Sequence, residues 1–173
     1  MREASSRLKE DSSLSISDVI LAPGEISDID FIGKISRDLF GVYGHYEEVV
    51  PNWFMSGMSL TITARLNEEP VGFAMIGVPE NRYDQDNTSE LLAIAVDPKY
   101  HRNGVGQLLL RDVDERAAGL GIRRLFLHTA MDNNNARSLF SKVGYRPWQI
   151  KRNFYPNGQD AVVMSKSIMD FGA

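Results

Sequence analysis

The sequence contains no cysteine. Disulfides, thiolate metal sites and cysteine nucleophiles are therefore excluded. Histidine is nearly as scarce. His45, His101 and His128 are far apart in the chain, which argues against a metal centre. No apolar run approaches the roughly 20 residues that cross a bilayer. The opening stretch MREASSRLKEDSS lacks the apolar core of a signal peptide. Positive charge is not in excess either. The net charge of -4 disfavours a broad nucleic-acid surface. What is present fits a soluble cytoplasmic protein, with 43% hydrophobic and 24% charged residues, close to globular averages. A length of 173 residues fits one domain. The expectation is a loose tail over 1–13 and a single domain over 14–173, without repeats, as a monomer or homodimer with no nucleic-acid or membrane partner.

Along the chain, LSISDVILA alternates as a first strand, and residues 24–41 carry apolar side chains at helical spacing up to a stop at Gly41. The segment VYGHYEEVVPNWFMSG predicts a short second helix broken by Pro51. Two β-rich runs flank the turn NEEP, which is a hairpin signal. PENRYDQDN is a polar loop, and SELLAIAVD reads as a strand covered on both faces. A one-sided helical stripe runs from Val105 to Leu120. Next come a strand at IRRLFLHTA, a short helix closed by Gly144, a strand region at YRPWQIKRNFY, a turn at PNGQ and a last strand at DAVVMSKSI. Strand, helix, strand, helix in the middle implies neighbouring strands with a covering helix.

The stretch KYHRNGVGQLLL, Lys99 to Leu110, joins a strand to a helix through two glycines. The first amides of a helix lack internal partners and carry partial positive charge, and glycine lets a ligand approach the backbone. A phosphate or pyrophosphate is the natural guest, with Arg102, Asn103, Lys99 or His101 adding donors or charge. The same glycines equally suit a tight strand-to-helix turn with no ligand. Two other phosphate loops fail: no third glycine completes a dinucleotide fingerprint, and no Gly-Lys-Ser/Thr completes a P-loop.

SELLAIAVDPKYHRNGVGQLLL and LFLHTAMDNNNARSLFSKVGY together resemble the central half of the GNAT acetyltransferase superfamily. Its loop pattern is matched by His101, Arg102, Asn103, Gly104, Val105 and Gly106. Its asparagine helix is matched by Asn133, Ala136, Leu139, Phe140, Gly144 and Tyr145. The ending KRNFYPNGQDAVVMSKSI resembles the protein N-terminal acetyltransferases of the ribosomal-protein-alanine type. The likeness covers residues 88 to 169 closely and 14 to 87 only as an element order. It implies an α/β (α+β) GNAT fold: a mixed, mostly antiparallel sheet of about seven strands with helices on both faces.

The resemblance implies acetyl-CoA as co-substrate and no metal. The pyrophosphate would rest on the amides of Arg102 to Gly106. The pantetheine arm would run along the strand at Ile94, Ala95 and Val96, and Asn133 would contact the carrier. An amide at Val96 would hold the oxyanion. Phe140 occupies the place of a tyrosine that often serves as general acid, so that role is vacant or filled elsewhere, with Tyr155 or Tyr145 as stand-ins; Tyr145 also fills an aromatic core slot.

The resemblance offers two candidate bases, His128 at the position that serves as base in the N-terminal acetyltransferases and Glu90 at a position on the neighbouring strand used in several GNAT enzymes, and which of the two is the base stays open. Each has a plain alternative, a packing histidine and an exposed strand-end charge. The acceptor pocket would draw on Tyr43, His45, Tyr46, Glu47, Phe154 and Tyr155, while Lys151 and Arg152 read as a solvated edge. An α-amine, with a pKa of about 7.7 to 8.0, costs about one unit to deprotonate at neutral pH, whereas a lysine at about 10.4 costs about 3.4 units. The implied reaction is acetyl transfer to a primary amine, above all a protein or peptide N-terminus, by direct attack in a ternary complex. Two alternatives remain: a small-molecule acceptor (polyamine, amino acid or antibiotic), and a non-catalytic CoA-binding sensor.

Overall fold

The structure, a computed structural model, describes residues 15–78 and 87–168. The expected tail over 1–13 and most of the polar loop PENRYDQDN lie outside them. The elements are β1 (Val19–Pro23), α1 (Ile29–Phe40), α2 (Tyr46–Met55), β2 (Ser59–Leu66), β3 (Glu69–Gly77), β4 (Thr88–Val96), α3 (Val105–Gly119), β5 (Arg124–Ala130), α4 (Asn134–Lys142), β6 (Arg146–Lys151) and β7 (Ala161–Ser167). Seven strands make one sheet in the order β1-β2-β3-β4-β5-β7-β6. Every neighbouring pair is antiparallel except β4 and β5. The expected mixed sheet with helices on both faces is what forms.

Two apolar clusters hold the layers together. On one face Val105, Leu109, Leu110, Val113 and Ala117 of α3 and Phe140 of α4 pack on Ile62, Ala64, Ile76, Leu125 and Leu127. On the other, Ile32 and Ile35 of α1 and Val50 of α2 cover Phe73, Met75, Ala93 and Ala95. The alternation along β3 feeds both, with Phe73 and Met75 to one side and Ala74 and Ile76 to the other, while Val71, left unpaired where the β2–β3 register shifts, joins the latter.

The hairpin forms at NEEP, with Leu66 opposite Glu69. Asn67 and Glu68 both adopt left-handed backbone (φ 49° and 68°), as a two-residue turn between twisted strands requires. Three local expectations need correction. The first strand begins only at Val19, because Ser15 caps a 3-10 turn over Ile16–Asp18. The first helix begins at Ile29, after another 3-10 turn over Ile26–Asp28. Pro51 does not break α2 but lies inside it. Tertiary packing overrides the missing amide: Val50 is fully buried, and Tyr46, Trp53 and Phe54 pack beside it. Gly33 of α1 sits against the Pro51 ring and the Glu47 carbonyl, at 3.5 and 3.6 Å from the position a Cβ would take. Among the described residues no helix is long and apolar enough to cross a membrane.

Candidate active site

The site begins where β4 leaves β5. The two strands pair only at Thr88, Ser89 and Glu90, opposite Arg124, Leu125 and Phe126. Just past that point β4 is bulged: Met75 faces Ala93 and Ile76 faces Leu91, leaving Leu92 unpaired. Leu92 and Ala93 consequently both pack with the α1–α2 cluster. A bulge bends its strand and sharpens its twist, which accounts for the parting. Asp97 N–H bonds the Val71 carbonyl at 2.8 Å. In an antiparallel ladder bonded and non-bonded pairs alternate, so the amides of Ile94 and Val96 face away from β3, into the gap left by β5. The Val96 carbonyl accepts from His101 Nε2 at 2.6 Å. Ala95 is turned the other way, its methyl in the α1–α2 cluster and its backbone in the β3 ladder. The structure therefore brings Ile94 and Val96, but not Ala95, to the open edge.

The glycine loop follows. Asp97 caps a 3-10 turn over Pro98–Tyr100 by accepting from Lys99 N–H at 3.0 Å. Arg102 (φ 61°) and Gly104 (φ 85°) are both left-handed. Asn103 Nδ2 donates to the His101 carbonyl at 3.0 Å. Leu108 N–H makes the bond back to Gly104 at 3.0 Å, so the amides of Val105, Gly106 and Gln107 precede the helical ladder and have no acceptor within it. The two glycines do different work. Gly104 supplies the left-handed turn, with only Ile16, at 3.8 Å, near its missing Cβ. Gly106 lets α3 approach Leu139 of α4, which a Cβ would meet at 3.1 Å. The Val105 side chain is buried in the core.

Leu125 and Leu127 of β5 point into the α3–α4 cluster, so Phe126 and His128 project to the opposite face. Glu90 shares that face, and its Oε1 lies 2.7 Å from His128 Nδ1. The histidine side chain is 11% exposed and the glutamate 32%. An ionised carboxylate can only accept and an ammonium can only donate. Nδ1 thus carries the proton toward Glu90, and Nε2 presents its lone pair. Lys151 Nζ donates to that lone pair at 3.1 Å. The Phe154 ring stacks flat on the imidazole, at 4.3 Å and 4°.

Beyond Phe154 an aromatic wall continues. Tyr155 lies 4.9 Å from Tyr43 and 6.3 Å from Tyr46, centroid to centroid. The 153–160 loop is tied to the α1–α2 connection by Asn157 Nδ2 and Gln159 Nε2, both donating to the Val42 carbonyl. Burial, then the Glu90 charge, raises the Tyr46 phenol above its ordinary pKa. Burial, then the neighbouring Tyr46, Tyr43 and Glu90, pushes Tyr155 well up. Burial and Asp132 raise Tyr43. All three therefore stay protonated donors at neutral pH.

Tyr43, Tyr46, Tyr155, Glu90 and His128 thus come together. His45 does not: its side chain is 87% exposed and bonds Glu47 at 3.3 Å. Asn133 caps α4, its Oδ1 accepting from Ala136 N–H at 3.2 Å. Phe140 and Tyr145 pack edge to face, 5.8 Å apart, in the core. Tyr145 is fully buried and no candidate for the acid role. The residue missed by sequence reasoning is Lys151. It stands opposite Ala161, which stands opposite Ala130, two residues past His128. The small Ala161 lets the lysine cross β7. Among the described residues no group of three or more histidine, aspartate or glutamate side chains could hold a metal.

A parted parallel strand pair, an open amide edge and a glycine loop at a helix start define a class. The acetyltransferase (GNAT) family model matches residues 30–145, and the chain belongs to that family. Among relatives, it is 35% identical over 81 residues to the [Ribosomal protein bS18]-alanine N-acetyltransferase of Salmonella typhimurium, covering 45% of this chain and 55% of that one. The chain spans about half the length of the curated relatives it matches. The crystal structure of the Escherichia coli ribosomal-protein-S18-alanine N-acetyltransferase superposes with a TM-score of 0.74 at 25% identity, covering 89% of this chain and 96% of that one. A GNAT family acetyltransferase from Elizabethkingia anophelis with acetyl-CoA bound superposes with a TM-score of 0.69 at 22% identity, over 87% and 98% of the two chains.

Proposed function

We propose that this protein is a cytoplasmic N-acetyltransferase that moves an acetyl group from acetyl-CoA to the α-amine of a protein or peptide N-terminus. The observation that carries the reading is the Glu90–His128 contact at 2.7 Å, set where β4 and β5 part. The names of the bS18-alanine acetyltransferase relatives favour the same acceptor class.

The free amides of Val105, Gly106 and Gln107 and the left-handed Gly104 suit a diphosphate, with Arg102 and Asn103 alongside. The Ile94 and Val96 amides suit the amide-bearing arm of the carrier, which supplies a thioester. Val96 lies at the glycine-loop end of β4 and is committed to that arm, so Ile94 N–H, two residues nearer Glu90, is the donor for the oxyanion. His128 Nε2 takes the proton from the incoming ammonium, and Glu90 holds the imidazole in the tautomer that frees Nε2. The Tyr43–Tyr46–Tyr155 wall encloses the first side chain of the acceptor. Asp132, close enough to raise the Tyr43 pKa, adds negative charge for a cationic amine.

The test is thiol release from acetyl-CoA with N-terminal peptides and with spermidine as acceptors. His128→Gln should lower kcat/KM by about 100-fold or more. Glu90→Gln should lower it too, because a side-chain amide can donate to Nδ1 and select the wrong tautomer. Wild-type rates in both variants would remove the assignment. A preference for spermidine over every peptide would remove the acceptor.

A further inference from the structure

Lys151 Nζ donates to His128 Nε2 at 3.1 Å and lies 5.5 Å over the Phe154 ring. Nε2 is the atom that must reach the proton of an acceptor amine, and a general base must lie within hydrogen-bond distance of the proton it removes. The chain thus holds one of its own primary amines where an acceptor amine has to be. Lys151 is on the surface end of β6 and solvent can reach it. The neighbouring Arg152 is occupied elsewhere, bonding Asp160 at 2.6 Å.

We propose that Lys151 is an internal acceptor, so that the protein acetylates its own Lys151 when no other amine fills the site. The proposal rests on the acetyltransfer reading above. In the step, the Lys151 ammonium gives one proton to His128 Nε2, which passes it to solvent. The neutral Nζ bonds the acetyl carbonyl carbon, and the carbon–sulfur bond breaks. The departing thiolate takes the second nitrogen proton, leaving a neutral amide and free CoA. A lysine starts about 2.5 pKa units behind an α-amine, a disadvantage of about 300-fold at neutral pH. An amine already held at the base has an effective concentration of about 10⁵ M or more when its geometry is good, which outweighs that handicap.

The test incubates the purified full chain with acetyl-CoA and no acceptor, and follows intact mass and a peptide map. One acetyl group should appear on Lys151, at a rate independent of protein concentration. Lys151→Arg, which keeps a donor for Nε2, should take up none at this position, and His128→Gln should slow the labelling by about 100-fold or more. An unlabelled Lys151 in a preparation that acetylates peptides overturns the proposal and leaves the acetyltransfer reading intact. Equal labelling in His128→Gln, or a rate that rises with protein concentration, also overturns it. Failure to acetylate either Lys151 or any peptide removes the reading on which it rests, and the proposal with it.

Discussion

Replacing Tyr145 by phenylalanine should stabilise the protein and leave its activity unchanged. The residue is 0% exposed. Its hydroxyl has no hydrogen-bond partner among the described residues, and neither does Oδ1 of Asp114. Burial, then the Asp114 charge, drives the phenol pKa well above its ordinary value, so the group stays protonated, a donor with no acceptor among the described residues. The other Asp114 oxygen is taken by Lys166, whose Nζ also lies 5.7 Å over the Tyr145 ring. An unpaired buried polar group costs about 1–3 kcal/mol. Phenylalanine keeps the ring and its edge-to-face contact with Phe140, losing only the oxygen. A net gain of about 1 kcal/mol is expected, or roughly 2–4 °C in Tm for a chain of this size. Thermal unfolding followed by circular dichroism reads the first quantity, and acetyl-CoA turnover with a peptide acceptor reads the second. A lower Tm would mean that the hydroxyl is bonded, through Asp114 or a buried water. A lower kcat at unchanged Tm would mean that it serves as the proton donor missing at Phe140. Either result refutes the reasoning.

Asp28 is 1% exposed and accepts from Glu25 N–H, Thr63 Oγ1 and Arg65 Nη2 at 2.9, 2.9 and 2.6 Å. Asp28→Ala removes the acceptor shared by Glu25 N–H, Thr63 Oγ1 and Arg65, leaving the guanidinium only the Glu68 carbonyl at 3.1 Å and Glu25 at 3.9 Å, and should cost about 3 kcal/mol in a urea titration. Gly44→Ala would place a Cβ 2.9 Å from the rigid Pro156 ring. It should push the aromatic loops apart and raise KM for peptide more than it changes binding of acetyl-CoA, read by calorimetry. Asp160 is held below its ordinary pKa of 3.8, first by Asn153 N–H and then by Arg152. A depressed carboxylate stabilises above its unfolded pKa and loses that contribution as pH falls through the folded value. Hydrogen exchange at Asn153 should therefore be slow near neutrality and quicken, relative to the intrinsic rate, only below about pH 3.8.

The half of the site with a short sequence span was readable in advance. The strand at residues 89–97, the glycine loop and the α4 cap lie in one stretch whose periodicities and turn residues fix their own geometry locally. Within it the two glycines looked equivalent, because spacing does not distinguish a left-handed turn at Gly104 from a helix contact at Gly106. Residue type alone groups Ala95 with Ile94 and Val96, because only the ladder register reveals which amides face the gap. That register is shifted by a bulge at Leu92 that its leucine side chain does not announce. Pro51 misled for the opposite reason: local propensity was plain, and burial of Val50 overrode it. Lys151 was invisible because reaching His128 requires crossing β7, and the β6–β7 register itself shifts at Trp148. Lys151 and Arg152 do form a solvent-exposed edge, and tertiary pairing, not residue type, brings one residue of that edge to His128.

The missing tyrosine at Phe140 is tolerable once the two proton transfers are weighed separately. The leaving thiolate resembles that of cysteine, with a pKa of about 8.5, so it departs without prior protonation. A phenol raised above its ordinary value, as Tyr155 is, would give up its proton only uphill to such a thiolate. Its use is to donate a hydrogen bond. The incoming ammonium is the harder problem, because it cannot attack until a proton is gone. In the proposed reaction Glu90 on Nδ1 fixes the imidazole tautomer whose Nε2 takes that proton, once the incoming amine displaces Lys151 from it. A site built this way depends on deprotonating the acceptor, and so favours amines that give up a proton readily. By that logic the α-amine of a peptide should outrun a lysine side chain of the same peptide by about two orders of magnitude in kcat/KM, following their difference of about 2.5 pKa units. A peptide with a blocked N-terminus and a single free lysine measures the ratio directly, and equal rates for the two amines would show that another step limits turnover.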